Sequence, residues 1–415
     1  MTNEEKYNER LKRVEDAIAM KKTDRVPCMP FIQTYPFIHN GHSMAEVMYD
    51  ADKAAEDLKK YLVEYEPDMA IHFGSMFCGQ GAMLEKLGIN WLQWAGRPGC
   101  NVDKNSIHQF IEKPYLEDGE YPELLSDLSG WIMRKWLPRC FTSMESLRNI
   151  NIPSMLAYQS ISATLQFTDP KIVKTFQNLA EVGNMALEYY GKIAAYEQDV
   201  TNMGFPPQIG ATTITAFDIL SDTLRGTLES MADLYEEPDS VHRAVEMFYP
   251  SSLYGAVSQM QNSKGKFVFI PLHKGLDGFM GPQQYEEFYW PTLKRLVEDL
   301  INMGYTPWIY TEGKYDTRLE TITDVPAGKV LFHFENVDMK EAKRIVGKEH
   351  CISGGFNSRI LKTENPDGVR EQVKRLLDVT AVDGGYIFDL SDTLDEVPHE
   401  NVEAMFDAVK TYGRY

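Results

Sequence analysis

Several short apolar runs in this chain end on side chains that can carry a proton or hold a cation. FVFIPLH (267–273) closes on His273, TPWIYTE (306–312) on Glu312, and VLFHFE (330–335) carries His333 and Glu335. GGYIFDLSD (384–392) brings Asp389, Ser391 and Asp392. Around them stand Phe269, Trp308, Tyr310, Phe332, Phe334, Phe356, Tyr386 and Phe388. Carboxylates and imidazoles converging on an apolar pocket supply what acid–base catalysis or a metal site requires. Each residue also has a plainer reading. Glu312 precedes a glycine and could be a solvated loop residue, and His333 lies between two phenylalanines, the setting of a hydrogen-bonded core histidine. Glu335 could open the helix at 338, Asp389 and Asp392 could cap turns, and His273 could pair with Asp277.

What must position these groups is an alternation of strands and helices. Leu11, Val14, Ala17 and Ile18 recur at helical spacing and predict a helix over 3–22. VPCMPFI (26–32) reads as a buried strand, 44–65 as a helix, and DMAIHFG (68–74) as a second strand. A helical zone over 168–195 precedes a loop-rich third strand within 199–217, and helices cover about 220–260. The runs at 267–273, 306–312, 330–335, 350–356 and 384–392 complete eight strands, with helices at 282–303, 338–346, 366–378 and 399–411 between or after them. Crossovers long enough for a helix imply parallel pairing. The expected fold is α/β, a single (β/α)8 TIM barrel domain over 1–415 with N-terminal helices and an inserted lid or rim at about 76–150. In such barrels chemistry sits at the C-terminal strand ends, where these polar residues fall. An open doubly wound sheet is the alternative, but no GxGxxG follows an early strand.

Composition narrows the function. The 61 acidic and 42 basic residues give a net charge of −19, a field that repels a phosphate backbone and argues against nucleic acid as partner. No apolar run reaches the ~18 residues of a membrane span, and the charged N-terminus has no signal-peptide core, so a cytoplasmic protein is expected. Cys28, Cys78, Cys100, Cys140 and Cys351 form no CxxC pair, which speaks against a disulfide framework or a four-thiolate zinc site.

HKGLDGFMGPQQYEEFYWPTLKRLVEDLINMGYTPWIYTEGKYDTRLE (273–320), FENVDMKEAKRIVG (334–347) and GGYIFDLSDTLDEVPHENVEAM (384–405) resemble the uroporphyrinogen decarboxylase superfamily. The similarity is to its corrinoid-dependent methyltransferases of strict anaerobes. RVPCMPFI (25–32) matches the start of the family's first barrel strand, and NVDKNSIHQFIEKPYLEDGEYPELLSD (101–127) resembles a segment of corrinoid-linked members. The decarboxylase's Trp-Phe-Met-Arg-Gln-Ala-Gly-Arg segment, which supplies arginines for porphyrinogen carboxylates, is replaced by PCMPFIQTYPF (27–37), without arginine. The methylcobalamin:coenzyme M enzymes hold zinc with a His-x-Cys pair and a later Cys. Here the pair reads Tyr310-x-Glu312, and the later position falls within Asp389-Leu390-Ser391-Asp392.

The resemblance therefore implies one zinc ion held by Glu312, His333 and Asp392, with Asp389 as the alternative third ligand. The spacing Glu312-x20-His333 is similar to that of ether-cleaving O-demethylase methyltransferases. Exchange of soft thiolates for oxygen and nitrogen donors favours an oxygen-bound substrate. The implied reaction moves a methyl group from an O-methyl donor, such as a methoxylated aromatic, to cobalt(I) of a separate corrinoid (cobalamin) protein, since the chain lacks Asp-x-His-x-x-Gly. Tyr310, His273 and Glu335 are the catalytic candidates, and Trp308, Phe332 and Phe356 the walls for a substrate ring. Trp91, Trp94, Trp131 and Trp136 mark 76–150 as a docking rim or lid, and homodimerisation stays open. Alternatives are a methylcobalamin:thiol or tetrahydrofolate methyltransferase, a decarboxylase, and a metal-free binding protein on the same barrel.

Overall fold

The computed structural model describes residues 1–156, 158 and 160–415. Six parallel strands lie side by side in chain order: Ile209–Thr212, Phe267–Leu272, Thr306–Lys314, Leu331–Asn336, Cys351–Gly354 and Tyr386–Ile387. They are the third to eighth strands of a barrel. Two extended segments at 27–32 and 68–71 close it. Cys28 and Ile32 form parallel bridges with Phe388 and Leu394, and Ala70 bridges Pro207. The two segments are joined by the Asp68 N–H donating to the Cys28 carbonyl at 2.8 Å. All eight expected strand positions are thus occupied, and the expected (β/α)8 barrel is the fold.

Helix limits follow local chemistry. The first helix, Asn3–Ile18, starts with a capping box between Thr2 and Glu5 and stops short of residue 22, as Met20 turns left-handed. The expected helix over 44–65 is two helices, Met44–Val47 and Ala51–Tyr65, each opened by its own cap, Ser43 and Asp50. The long helix Pro170–Asn202 runs beyond residue 195, with Pro170 in its first turn and the Asp169 side chain accepting from the Lys171 N–H. The 76–150 region is a set of short helices with a small hairpin, Leu92–Gln93 against Gln109–Phe110, over its own apolar cluster around Trp94, Phe141 and Met144. No helix among the described residues is long and apolar enough to cross a membrane.

Side chains alternate across each strand, and this decides what fills the barrel. Phe31, Phe269, Trp308 and Tyr310 pack with ring centroids 5.0–6.0 Å apart. His333 stacks on Tyr310 at 3.8 Å. This aromatic layer is the barrel's interior. Further out with the same parity on three of these strands stand His273, Glu312 and Glu335.

At the opposite end, Asp68 is fully buried and accepts from Arg13 at 2.6 Å, from Arg25 at 2.8 Å and from the Cys28 N–H at 2.7 Å. Asp68→Ala would leave the buried Cys28 N–H unpaired and take a buried partner from Arg13, which keeps Glu9 and Asp24, and a loss of about 1–3 kcal/mol is expected in denaturant unfolding. Gly354 has φ +88°, and a Cβ there would lie 2.3 Å from the Phe334 carbonyl oxygen. Gly354→Ala should therefore lower stability by more than about 1 kcal/mol, read as a reduced Tm.

Candidate active site at the barrel mouth

The mouth is organised by the turn that follows the third strand. Thr215 caps Ala216–Asp218, and the chain continues through a widened helical turn, Ile219–Arg225, until Gly226 stops it at φ +85°. Asp218 and Asp222 stand one turn apart on this segment. Asp218 is fully buried and accepts from the Tyr289 hydroxyl at 2.6 Å and from the backbone N–H groups of Lys274 at 3.1 Å and His273 at 3.3 Å. Asp222 binds Nδ1 of His273 in a short contact and lies 3.2 Å from Nζ of Lys274. The other imidazole nitrogen, Nε2, faces Oε1 of Glu312 at 3.7 Å. Lys274 also reaches Glu112 at 3.3 Å, so the 76–150 region touches the mouth directly.

These neighbours set the protonation states. Burial would lower the His273 pKa, but the Asp222 hydrogen bond and the fields of Asp218 and Glu312 outweigh it and push it up to about 9. Burial, with Asp222 nearby, raises Asp218 to about 6. Burial also raises Glu312, with His273 opposing and Glu335 adding to the rise. With a pKa pushed up to about 9, the His273 ring is cationic at neutral pH, hydrogen-bonded to Asp222 and facing Glu312.

The sequence-predicted residues divide into two groups. His273, Glu312 and Glu335 share the mouth, where Glu335 accepts from the Gly313 N–H. His333 is fully buried, with Nε2 3.1 Å from the Ser391 carbonyl oxygen and Nδ1 3.0 Å from Asp389. Asp392 accepts from the Ser358 hydroxyl at 2.7 Å and backbone N–H at 3.3 Å. Tyr310 donates its hydroxyl to the Asp392 carbonyl at 3.1 Å. Glu312, His333 and Asp392 therefore present no common ligand point, and the implied zinc set does not fit this arrangement. Asp277, offered as a partner for His273, instead accepts from Thr317 at 2.7 Å.

The three residues expected to line a substrate ring sit in packed surroundings. Trp308 belongs to the interior aromatic layer, and Phe356 packs on Phe388 at 5.5 Å. Phe332 has the opposite strand parity to His333 and packs edge-on against His350, away from the barrel axis. Trp94 and Trp131 are fully buried, whereas Trp91 stacks on the exposed Phe110 and Trp136 donates to the Thr223 carbonyl at 2.8 Å. Asp218, Asp222, Lys274 and Glu112 were missed. The signal for the first two was the i, i+4 carboxylate pair in TAFDILSDTLR directly after the third strand.

The fold and the polar strand ends define an α/β-barrel protein with its candidate site at the C-terminal strand ends. The family model described as uroporphyrinogen decarboxylase (URO-D) matches residues 176–412, and the chain belongs to this family. It is 22% identical over 255 residues to a uroporphyrinogen decarboxylase of Pseudomonas fluorescens, covering 58% of this chain and 70% of the relative. A uroporphyrinogen decarboxylase of Geotalea daltonii is 29% identical over 133 residues, 32% of this chain and 38% of that one. Among solved structures, a methyltransferase from Methanosarcina mazei superposes with TM-score 0.63 at 14% identity, covering 96% of this chain and 98% of that one.

The histidine's state is directly measurable. Asp222→Asn should drop the His273 titration midpoint from about 9 toward the ordinary ~6.5, followed in labelled-histidine NMR spectra. A raised folded-state pKa stabilises the protein fully below ~6.5, and that contribution is lost as pH rises through about 9. The Asn variant should therefore unfold with a shallower loss of stability across that window.

Proposed function

We propose that this protein is a methyltransferase that takes a methyl group from an O-methyl donor, with a methoxylated aromatic as substrate, and delivers it to cobalt(I) of a separate corrinoid protein. The observation that carries this reading is the His273 ring, held by Asp222 and turned toward Glu312 at the open end of the barrel. Cleaving an aryl methyl ether expels a phenolate, and a positioned acid that protonates the departing oxygen lowers that barrier. The corrinoid supplies a strong cobalt nucleophile. The methyl–oxygen bond breaks with its electron pair staying on oxygen, and the Nε2 proton of His273 moves to that oxygen. Asp222 keeps the ring oriented throughout, and solvent restores the proton. Glu312, its pKa raised by burial, faces Nε2 of His273 at 3.7 Å across the site.

Charge supports a substrate with few acidic groups. Glu112, Asp218, Asp222, Glu312 and Glu335 outnumber His273 and Lys274 at the mouth, a setting hostile to a substrate with many carboxylate arms. The barrel likeness to the methyltransferase from Methanosarcina mazei is consistent with the class. A corrinoid partner fits a rim offering Phe110, exposed at 64%, stacked on Trp91.

The test mixes the full chain, a reduced corrinoid protein and a guaiacol-like ether, and follows replacement of the cobalt(I) absorption by that of the methylated form. His273→Ala should slow conversion about 10²–10⁴-fold. No conversion, with methylated corrinoid protein consumed by a thiol or by tetrahydrofolate, would reverse the direction. Release of carbon dioxide from a porphyrinogen would make the protein a decarboxylase.

A further inference from the structure

Away from the barrel mouth, among the described residues, a single set of three potential metal-binding side chains comes together: His39, Glu64 and His399. Their ligand atoms lie within 4.8 Å of one another. Nε2 of His39 is 3.2 Å from both carboxylate oxygens of Glu64, and Nδ1 of His399 is 3.7 Å from Oε1 of the same carboxylate. Metal–ligand bonds of 2.0–2.1 Å in a tetrahedron place neighbouring donors ~3.3 Å apart, the spacing these atoms already have.

The three side chains come from distant parts of the chain that the barrel's closure brings together. His39 ends the short helix Tyr35–His39 beyond the first barrel segment. Glu64 is in the last turn of Ala51–Tyr65, and His399 opens the final helix, His399–Tyr412. On the far side of the His399 ring Glu403 lies 3.4 Å from Nε2, while Nδ1, the nitrogen turned toward Glu64, also meets the Tyr65 hydroxyl at 2.8 Å, a contact that an ion on Nδ1 would displace. A carboxylate on the far ring nitrogen is the usual way a ligating imidazole is oriented. The two rings lie stacked at 4.6 Å, and both side chains are partly exposed, which leaves the imidazoles room to turn toward a shared ion.

We infer that His39, Glu64 and His399 bind one divalent transition-metal ion of the zinc class, outside the barrel mouth, with water completing the coordination. Two imidazoles and one carboxylate suit zinc, cobalt(II) or nickel(II), while calcium and magnesium require an all-oxygen shell. The ion ties the segment after the first barrel position to the helix after the eighth, the seam at which the barrel closes.

The experiment uses the full chain, stripped with a chelator and titrated with zinc alone against a chromophoric competitor, together with thermal melts. Wild type should bind this equivalent and melt at a higher temperature with zinc. His39→Ala, His39→Gln and His399→Ala should each lose that equivalent and the zinc-dependent rise in Tm. Glu312→Gln and His273→Ala should keep both. Wild type that competes for no zinc would overturn the inference. So would His39 and His399 variants that fold normally and retain the zinc and its effect on Tm.

Discussion

The first barrel segment, 27–32, has too few ladder partners of its own, and buried carboxylates make up the deficit. The Cys28 N–H is taken by Asp68, and the Phe31 N–H by Asp389 at 2.7 Å. Between them, the Met29 N–H donates to the Phe388 carbonyl at 2.9 Å. A backbone donor left unpaired in this interior would cost about 1–3 kcal/mol, so the closure depends on both acids. Each acid is itself held, Asp68 by Arg13 and Arg25, Asp389 by His333. Burial raises the Asp389 pKa, and the His333 contact and the two backbone N–H groups work against that rise.

This arrangement explains why His333 is engaged deep in the barrel and not at its mouth. One ring nitrogen anchors Asp389 and so the first segment; the other meets the carbonyl of Ser391; and one ring face lies on Tyr310. The imidazole joins the fifth, sixth and eighth strands to the closing seam. Further out on the same strand faces, the inward-facing positions reach solvent, and there the polar groups are organised by Asp218 and Asp222. The boundary between structural and chemical residues is thus a boundary of depth along the same strand faces.

The mouth and the rim are mechanically linked. Arg225 follows the Asp218–Asp222 turn, forms an ion pair with Asp233 at 2.7 Å, and donates to the Leu116 carbonyl at 3.0 Å. Glu112 joins the same region to Lys274. The 101–120 stretch is thus tied by hydrogen bonds and ion pairs to the turn that carries Asp218 and Asp222 and to Lys274 beside them.

Much of the fold was legible in the sequence because it depends on local pattern. Apolar runs of strand length separated by helical periodicity located all eight barrel positions, and strand-end polarity placed His273, Glu312 and Glu335 at the mouth. Pairing across the chain was not legible. His273 takes Asp222 and not the nearby Asp277, because the turn after the third strand lies beside the end of the fourth in the closed barrel. His333 and Asp392 look like ligands in one dimension, yet Asp389, Ser391 and Ser358 occupy them once strands six, seven and eight are adjacent. Phe332 looks like a pocket wall until strand parity turns it toward His350. The sequence by itself determined the order of elements and the chemistry available at their ends. Only the tertiary structure decided which of those groups meet, because closing a barrel brings residues hundreds of positions apart within hydrogen-bonding distance and pairs buried polar atoms by proximity in space.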